Sequence, residues 1–211
     1  MTLRLLLKIS LFGLCVLTGS LFAAGDPVMT LNTRLSEIQS LQADFVQTIT
    51  DSHGRQISHA TGSLSLIRPG KFRWQVNPPE GELVIANDKK LLVYDPDLQQ
   101  LVIRTLSDND SEVPALLLSR GDISSGDHFV VRLQSENPEI FHLTPKNKDS
   151  LFSDFQLMFD KNNLVKMTFV DHLKQTTVIA FKHQKHNPAL PAKLFDFKAP
   201  RGTDVIYDNA S

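Results

Sequence analysis

Cysteine is almost absent: the 211 residues hold one, Cys15. It stands in an apolar run, Ile9–Phe22, behind the basic residues Arg4 and Lys8 and ahead of the small-residue site Ala23-Ala24-Gly25. A basic start, a short apolar stretch and a small-residue end are the marks of an export signal, and this run is too short to span a bilayer comfortably. Residues 1–25 are expected to be cleaved off before Asp26, leaving 26–211 as one domain. Cys15 follows Gly13-Leu14 and not a small residue, so it reads as part of the apolar run and not as a lipidation site. The exported chain then contains no thiol, which excludes disulfides, thiolate chemistry and Cys-based metal sites.

A surplus of charge is missing too. The signal segment takes away two basic residues and no acidic ones, leaving 20 Lys and Arg against 23 Asp and Glu, a net charge of −3 with His neutral. That balance gives no reason to expect a nucleic-acid partner. No internal repeat, low-complexity tract, Rossmann fingerprint or P-loop appears. Catalytic constellations are equally scarce. His183-Gln184-Lys185-His186 lacks zincin spacing, His53, His59 and His172 fall in or beside turns, and no serine occupies a G-x-S-x-G elbow. Glu80 and Glu82 straddle Gly81 without a third group to support paired-carboxylate chemistry. The residues offer no catalytic, cofactor or metal site.

What is present is strand pattern, most clearly in Gly62–Val76, GSLSLIRPGKFRWQV. Leu64 and Leu66 share one parity with Ser63 and Ser65 opposite; beyond Pro69-Gly70, Phe72, Trp74 and Val76 continue an apolar face against Lys71, Arg73 and Gln75. Pro69-Gly70 suits a type II turn, with Gly at the position needing positive φ. Arg68 falls on the oily side of this pattern. Either it ends the strand and snorkels into water, or it is a cation under a hydrophobic cover, which requires partner carbonyls or hydroxyls.

Along the rest of the chain, Asp26 and Pro27 open an amphipathic helix over about 27–40, with Val28, Leu31, Leu35 and Ile38 on one side. The period then changes at Leu41, with Phe45 on one face of a strand. Short strands follow at turn spacings of about eight to twelve residues, which predicts an antiparallel sheet that curls strongly. A second helix interrupts them: Pro114 in its first turn, Leu116, Leu117 and Leu118 behind it, and Arg120-Gly121 at its end. Three consecutive leucines make it apolar on more than one side, fit to cover the sheet's open end. Eleven of the 13 phenylalanines survive export, Phe155, Phe159, Phe169, Phe181, Phe195 and Phe197 among them. They suit either an ordinary core or a cavity for acyl chains.

The stretches RLSEIQSLQADFVQTITDSHG, GSLSLIRPGKFRWQV, YDPDLQQLVI and PALLLSR together resemble the periplasmic outer-membrane lipoprotein carrier (LolA) family, from about Leu31 to the end. The resemblance implies a mainly β fold, one curved antiparallel sheet forming an unclosed barrel, with a helical lid over a hydrophobic cavity. It implies a monomeric, non-enzymatic periplasmic carrier without cofactor. Such a carrier takes triacylated lipoproteins from an ATP-driven, ABC-type release complex of the inner membrane to an outer-membrane receptor. Arg68 matches the family's arginine that bonds to the lid, Leu116–Leu118 match the lid, and Phe72 and Trp74 match aromatics at the cavity. Phe45, Leu64 and Leu66 complete the expected lining. Three positions depart from the family: Asn87-Asp88-Lys89 replaces a common Asp-Gly turn, Leu92 a common aromatic, and Val113 a frequent capping Thr, leaving Asp110 or Ser111 as cap. An alternative of similar fold is a periplasmic module that senses acyl chains or lipoproteins for a regulatory partner.

Overall fold

Asp26 caps the first helix, its side chain accepting from the Val28 N–H at 2.9 Å, and Pro27 takes the first helical position. Helix α1 (Pro27–Ser36) is shorter than expected. The chain turns at Glu37 because Ile38 and Leu41 are already drawn into the core of the following strand region. The computed structural model describes residues 25–87, 89–106, 114–120, 128–148 and 150–208. The export segment, the Asp110 and Ser111 caps, Val113, Gly121 and Asp88 lie outside the described residues.

Two meanders make the sheet. The first comprises β1 (Ser40–Thr50), β2 (Gln56–Ile67), β3 (Lys71–Val76), β4 (Leu83–Asn87), β5 (Lys90–Asp95) and β6 (Gln100–Thr105). After helix α2 (Pro114–Arg120) the second runs through β7 (Phe129–Glu136), β8 (Glu139–Pro145), β9 (Phe152–Asp160), β10 (Asn163–Asp171) and β11 (Thr176–His186). Antiparallel pairing of β11 with β1, Phe181 opposite Phe45, joins the two. A 3₁₀ turn (Ala192–Phe195) leads to β12 (Asp204–Asp208), which pairs with β6.

The described strands form one twelve-stranded sheet in the order β12-β6-β5-β4-β3-β2-β1-β11-β10-β9-β8-β7, so β12 and β7 are its two free edges. This is the expected curved, unclosed sheet. The difference lies at one edge: β12 joins β6 in parallel, where a wholly antiparallel sheet was expected. Register shifts between Gln42 and Asp44 and between Leu133 and Ser135 add local bend to the strands.

Alternation puts the core on the inner face. Leu41, Ala43 and Phe45 of β1, Leu64 and Leu66 of β2, and Phe72, Trp74 and Val76 of β3 are buried in one cluster with Phe141, Phe155, Leu157 and Phe159 from the second meander. Leu31 and Leu35 of α1 belong to the same cluster. Arg34 fixes α1 across the curl, its Nε and Nη2 donating to Glu139 at 2.6 and 2.9 Å. Outside the sheet, Phe195 packs on Leu83 and Ile85 in a second, smaller cluster. Phe197 also lies on that side, its ring 5.0 Å from Tyr94. These two phenylalanines therefore belong to the outer face and not to the interior, because the chain leaves β11 and passes over the outside before β12.

Candidate functional site: the lidded apolar interior

The site is assembled from the bottom by β1, β2 and β3. Phe45 and Trp74 stack with ring centroids 3.7 Å apart and planes at 17°, and Phe181 meets the Trp74 ring edge-on at 6.5 Å. Gly62, opposite Phe45 on β2, lets these rings approach: a Cβ there would run into the Phe45 ring and the Gln75 carbonyl oxygen. The sequence pattern marks Gly62 only as a residue within a strand. The signal for its role is its cross-strand position beside an aromatic, which register reveals and spacing does not.

Helix α2 closes the interior from above. Leu116, Leu117 and Leu118 are 1 %, 6 % and 1 % exposed, so all three are packed into the same cluster as Phe45, Leu64, Leu66, Phe72 and Trp74. Ser119 behind them is fully buried, and its hydroxyl donates to the Leu116 carbonyl at 2.9 Å. The lid's tie to the sheet is a backbone bond: the Gly70 N–H donates to the Ser119 carbonyl at 2.9 Å. Gly70 has φ +79°, the positive value anticipated for it. The Arg68–Pro69 peptide is cis.

Arg68 sits at the edge of this lid contact. Its backbone N–H donates to the Gln39 carbonyl at 2.9 Å. Its Nε and Nη1 are buried and have no hydrogen-bond partner among the described residues. Burial pushes the guanidinium down to about 10. The side chain is thus not a strand-end cation snorkelling freely into water. The Gly70–Ser119 bond brings the C-terminal end of α2 to the 68–70 turn that carries Arg68. The carbonyl end of a helix carries partial negative charge and favours a cation nearby.

A seven-residue helix is too short to be stable by propensity, so packing must hold the lid in place. Leu117→Asp places a carboxylate on that packed surface. Hydrogen exchange at 114–120 is expected to lose its protection in this variant, while β2 and β3 keep theirs. Unchanged lid protection would mean that the leucines do not hold it.

An open-edged, strongly curved sheet with an apolar interior stopped by a leucine helix defines a class of proteins that enclose oily surface. Among the described residues, no three His, Cys, Asp or Glu side chains gather as metal ligands. The sequence model described as "Outer membrane lipoprotein carrier protein LolA" matches residues 36–198, and the chain belongs to that family. An outer-membrane lipoprotein carrier protein of Azotobacter vinelandii is 39 % identical over 183 residues, 86 % of this chain and 88 % of that one. A protein of the same description from Pseudomonas paraeruginosa is 39 % identical over 204 residues, 94 % of this chain and 98 % of its own. Among solved structures, a LolA superfamily protein from Nitrosomonas europaea aligns with a TM-score of 0.50 at 13 % identity, covering 82 % of this chain and 98 % of that one. An uncharacterized conserved protein from Thermus thermophilus aligns with a TM-score of 0.53, also at 13 % identity, covering 85 % and 98 %. Both share the fold.

Proposed function

We propose that this protein is a periplasmic lipoprotein carrier that binds the acyl chains of its cargo in the interior now filled by the lid leucines. The observation that carries the reading is the lid itself: three buried leucines on a short helix tied back to the Gly70 turn. Acyl chains offer the same kind of surface as those leucines and can take their place. Family membership supports the rest of the route. Cleavage before Asp26 frees the chain into the periplasm, an inner-membrane ABC-type release complex loads it, and an outer-membrane receptor unloads it. The protein acts by binding, not by catalysis.

Handover sets a limit on affinity. Each buried methylene contributes about 0.8 kcal/mol, so full burial of three acyl chains would be close to irreversible. Competition from the leucines of α2 lowers the net gain, since they recover their own burial when cargo leaves. The apolar dye bis-ANS is expected to bind the purified protein and to be displaced by a synthetic triacylated lipopeptide. Mass spectrometry of protein drawn from envelope extracts is expected to find lipoprotein on it. A lipopeptide that stays soluble and leaves the dye in place would count against a shared interior.

A further inference from the structure

The outer face of β1, β2, β3 and β11 carries a trough that acyl-chain binding leaves unused. It has a volume of about 500 Å³ and is lined by Gln42, Asp44, Ser63, Ser65, Arg73 and Gln75, with His183, Lys185 and Leu194 at its margins. Strand register explains its shape. Lys185 lies opposite Gln42, Gln42 opposite Ser65, and Ser65 opposite Arg73, so these four residues form one row across four strands. The neighbouring row runs from Asp44 through Ser63 to Gln75. The two serines of β2 are the low floor, and longer side chains stand on either side. Leu194, on the 3₁₀ turn that carries Phe195 onto the outer cluster, bounds one margin.

The polar groups are arranged and not merely solvated. Arg73 Nη2 donates to Gln75 Oε1 at 2.9 Å, which holds one edge of the guanidinium and leaves the other donors of its fork. Asp44 Oδ2 and His183 Nδ1 are 2.8 Å apart, across the register shift in β1. Arg73 and Lys185 outnumber the single carboxylate of Asp44. The backbones that carry the two cations stand three strand spacings apart along the row, about 14 Å at roughly 4.8 Å per spacing. An extended peptide rises about 3.3 Å per residue, so acidic side chains four positions apart span the same distance. Between the cations, the amides of Gln42 and Gln75 and the hydroxyls of Ser63 and Ser65 match peptide N–H and C=O groups.

We propose that this trough is a docking site for an extended acidic segment of a partner protein, lying across β11, β1, β2 and β3 on the side opposite the cargo. The site leaves the lid free, so a partner can hold the carrier without entering its interior. This inference does not depend on what the interior binds.

The test uses a fluorescein-labelled peptide of Ser, Thr and Gln with two glutamates four positions apart, titrated against the purified protein by anisotropy and by ¹⁵N NMR. Saturable binding is expected, with shifts at Gln42, Ser65, Arg73 and Lys185. A twin with both glutamates replaced by glutamine is expected to bind at least ten-fold more weakly. Arg73→Gln combined with Lys185→Gln should cause a similar loss, and Ser63→Phe, which fills the floor without touching charge, should also block the peptide. Lys185 is exposed, so Lys185→Gln alone remains a folded control that must weaken binding. Equal binding of the glutamine twin overturns the proposal, as do shifts confined to other faces. So does an equal response to inorganic phosphate or to phosphatidylglycerol vesicles, which would make the trough an anion or lipid site. Cargo binding measured by bis-ANS is expected to be unchanged in the Lys185→Gln protein, which separates this site from the interior.

Discussion

The Arg68→Leu protein is expected to accept lipoprotein and then to retain it, slowing delivery to the receptor by about 5- to 30-fold, the equivalent of ~1–2 kcal/mol. In the closed state the carbonyl end of α2 is tied to the turn that carries Arg68, where its partial negative charge would offset part of the guanidinium's desolvation. Acyl chains that displace the helix carry no such dipole, so loading leaves the charge against hydrocarbon with two nitrogens already lacking described partners. Leucine at this position removes that penalty from the loaded state. A transfer assay with purified loaded carrier and receptor measures it; delivery at the unmodified rate would deny Arg68 any part in release. Arg68→Lys is expected to be milder, keeping charge but losing the fork.

Proton linkage gives an independent check on Arg68. Burial lowers its folded value to about 10, well below the ordinary guanidinium range, so the unfolded chain holds the proton more tightly. The destabilisation is fully present below about pH 10 and is relieved as pH rises from there toward the ordinary guanidinium value. Arg68→Leu removes it throughout, and the empty variant is expected to unfold at higher temperature at pH 7. An unchanged or lower midpoint would mean that groups around Arg68 compensate its charge.

Gly62→Ala is expected to destabilise the protein by about 3 kcal/mol, although it adds one methyl group. The Phe45 ring could in principle swing aside, but the Gln75 carbonyl oxygen is backbone in β3 and moves only if the strand moves. Shifting β3 displaces Trp74 from its stack on Phe45 and disturbs Phe72, both part of the interior. The urea midpoint reads the effect, with exposed Ser63→Ala as a neighbour expected to stay within about 0.5 kcal/mol. If both variants unfold together, β3 has slack that the close approach conceals.

Much of this architecture was legible because an inward and an outward face impose a two-residue period. Leu64, Leu66, Phe72 and Trp74 announce the inner face of β2 and β3, and the leucine triplet announces a helix buried on several sides. Other features escape local pattern for definite reasons. β12 has all five residues exposed and pairs in parallel with a distant edge, so no alternation betrays it. Phe195 and Phe197 are as apolar as Phe181, and only the path of the chain outside the sheet separates them. The polar trough depends on four strands standing in register, a relation between residues more than 100 positions apart that spacing does not encode. At Arg68 the parity was readable, but the burial of two nitrogens without a partner among the described residues was not.

The joint between β1 and β11 has a consequence for the order of assembly. β1 through β6 pair with sequence neighbours and can form as soon as their own residues are free to fold. The inner edge of β1 must then wait for residues 176–186, the last strand of the second meander. The Arg34–Glu139 pair closes the same circuit across 105 positions of chain. Such distant closures carry a high loop-entropy cost before any contact compensates it, which makes them slow. During that interval Phe45 and Trp74 lie on an uncovered surface beside an unpaired strand edge. A protein suited to shielding other molecules' oily groups thus passes through a stage in which its own are open to aggregation or to a helper that covers them.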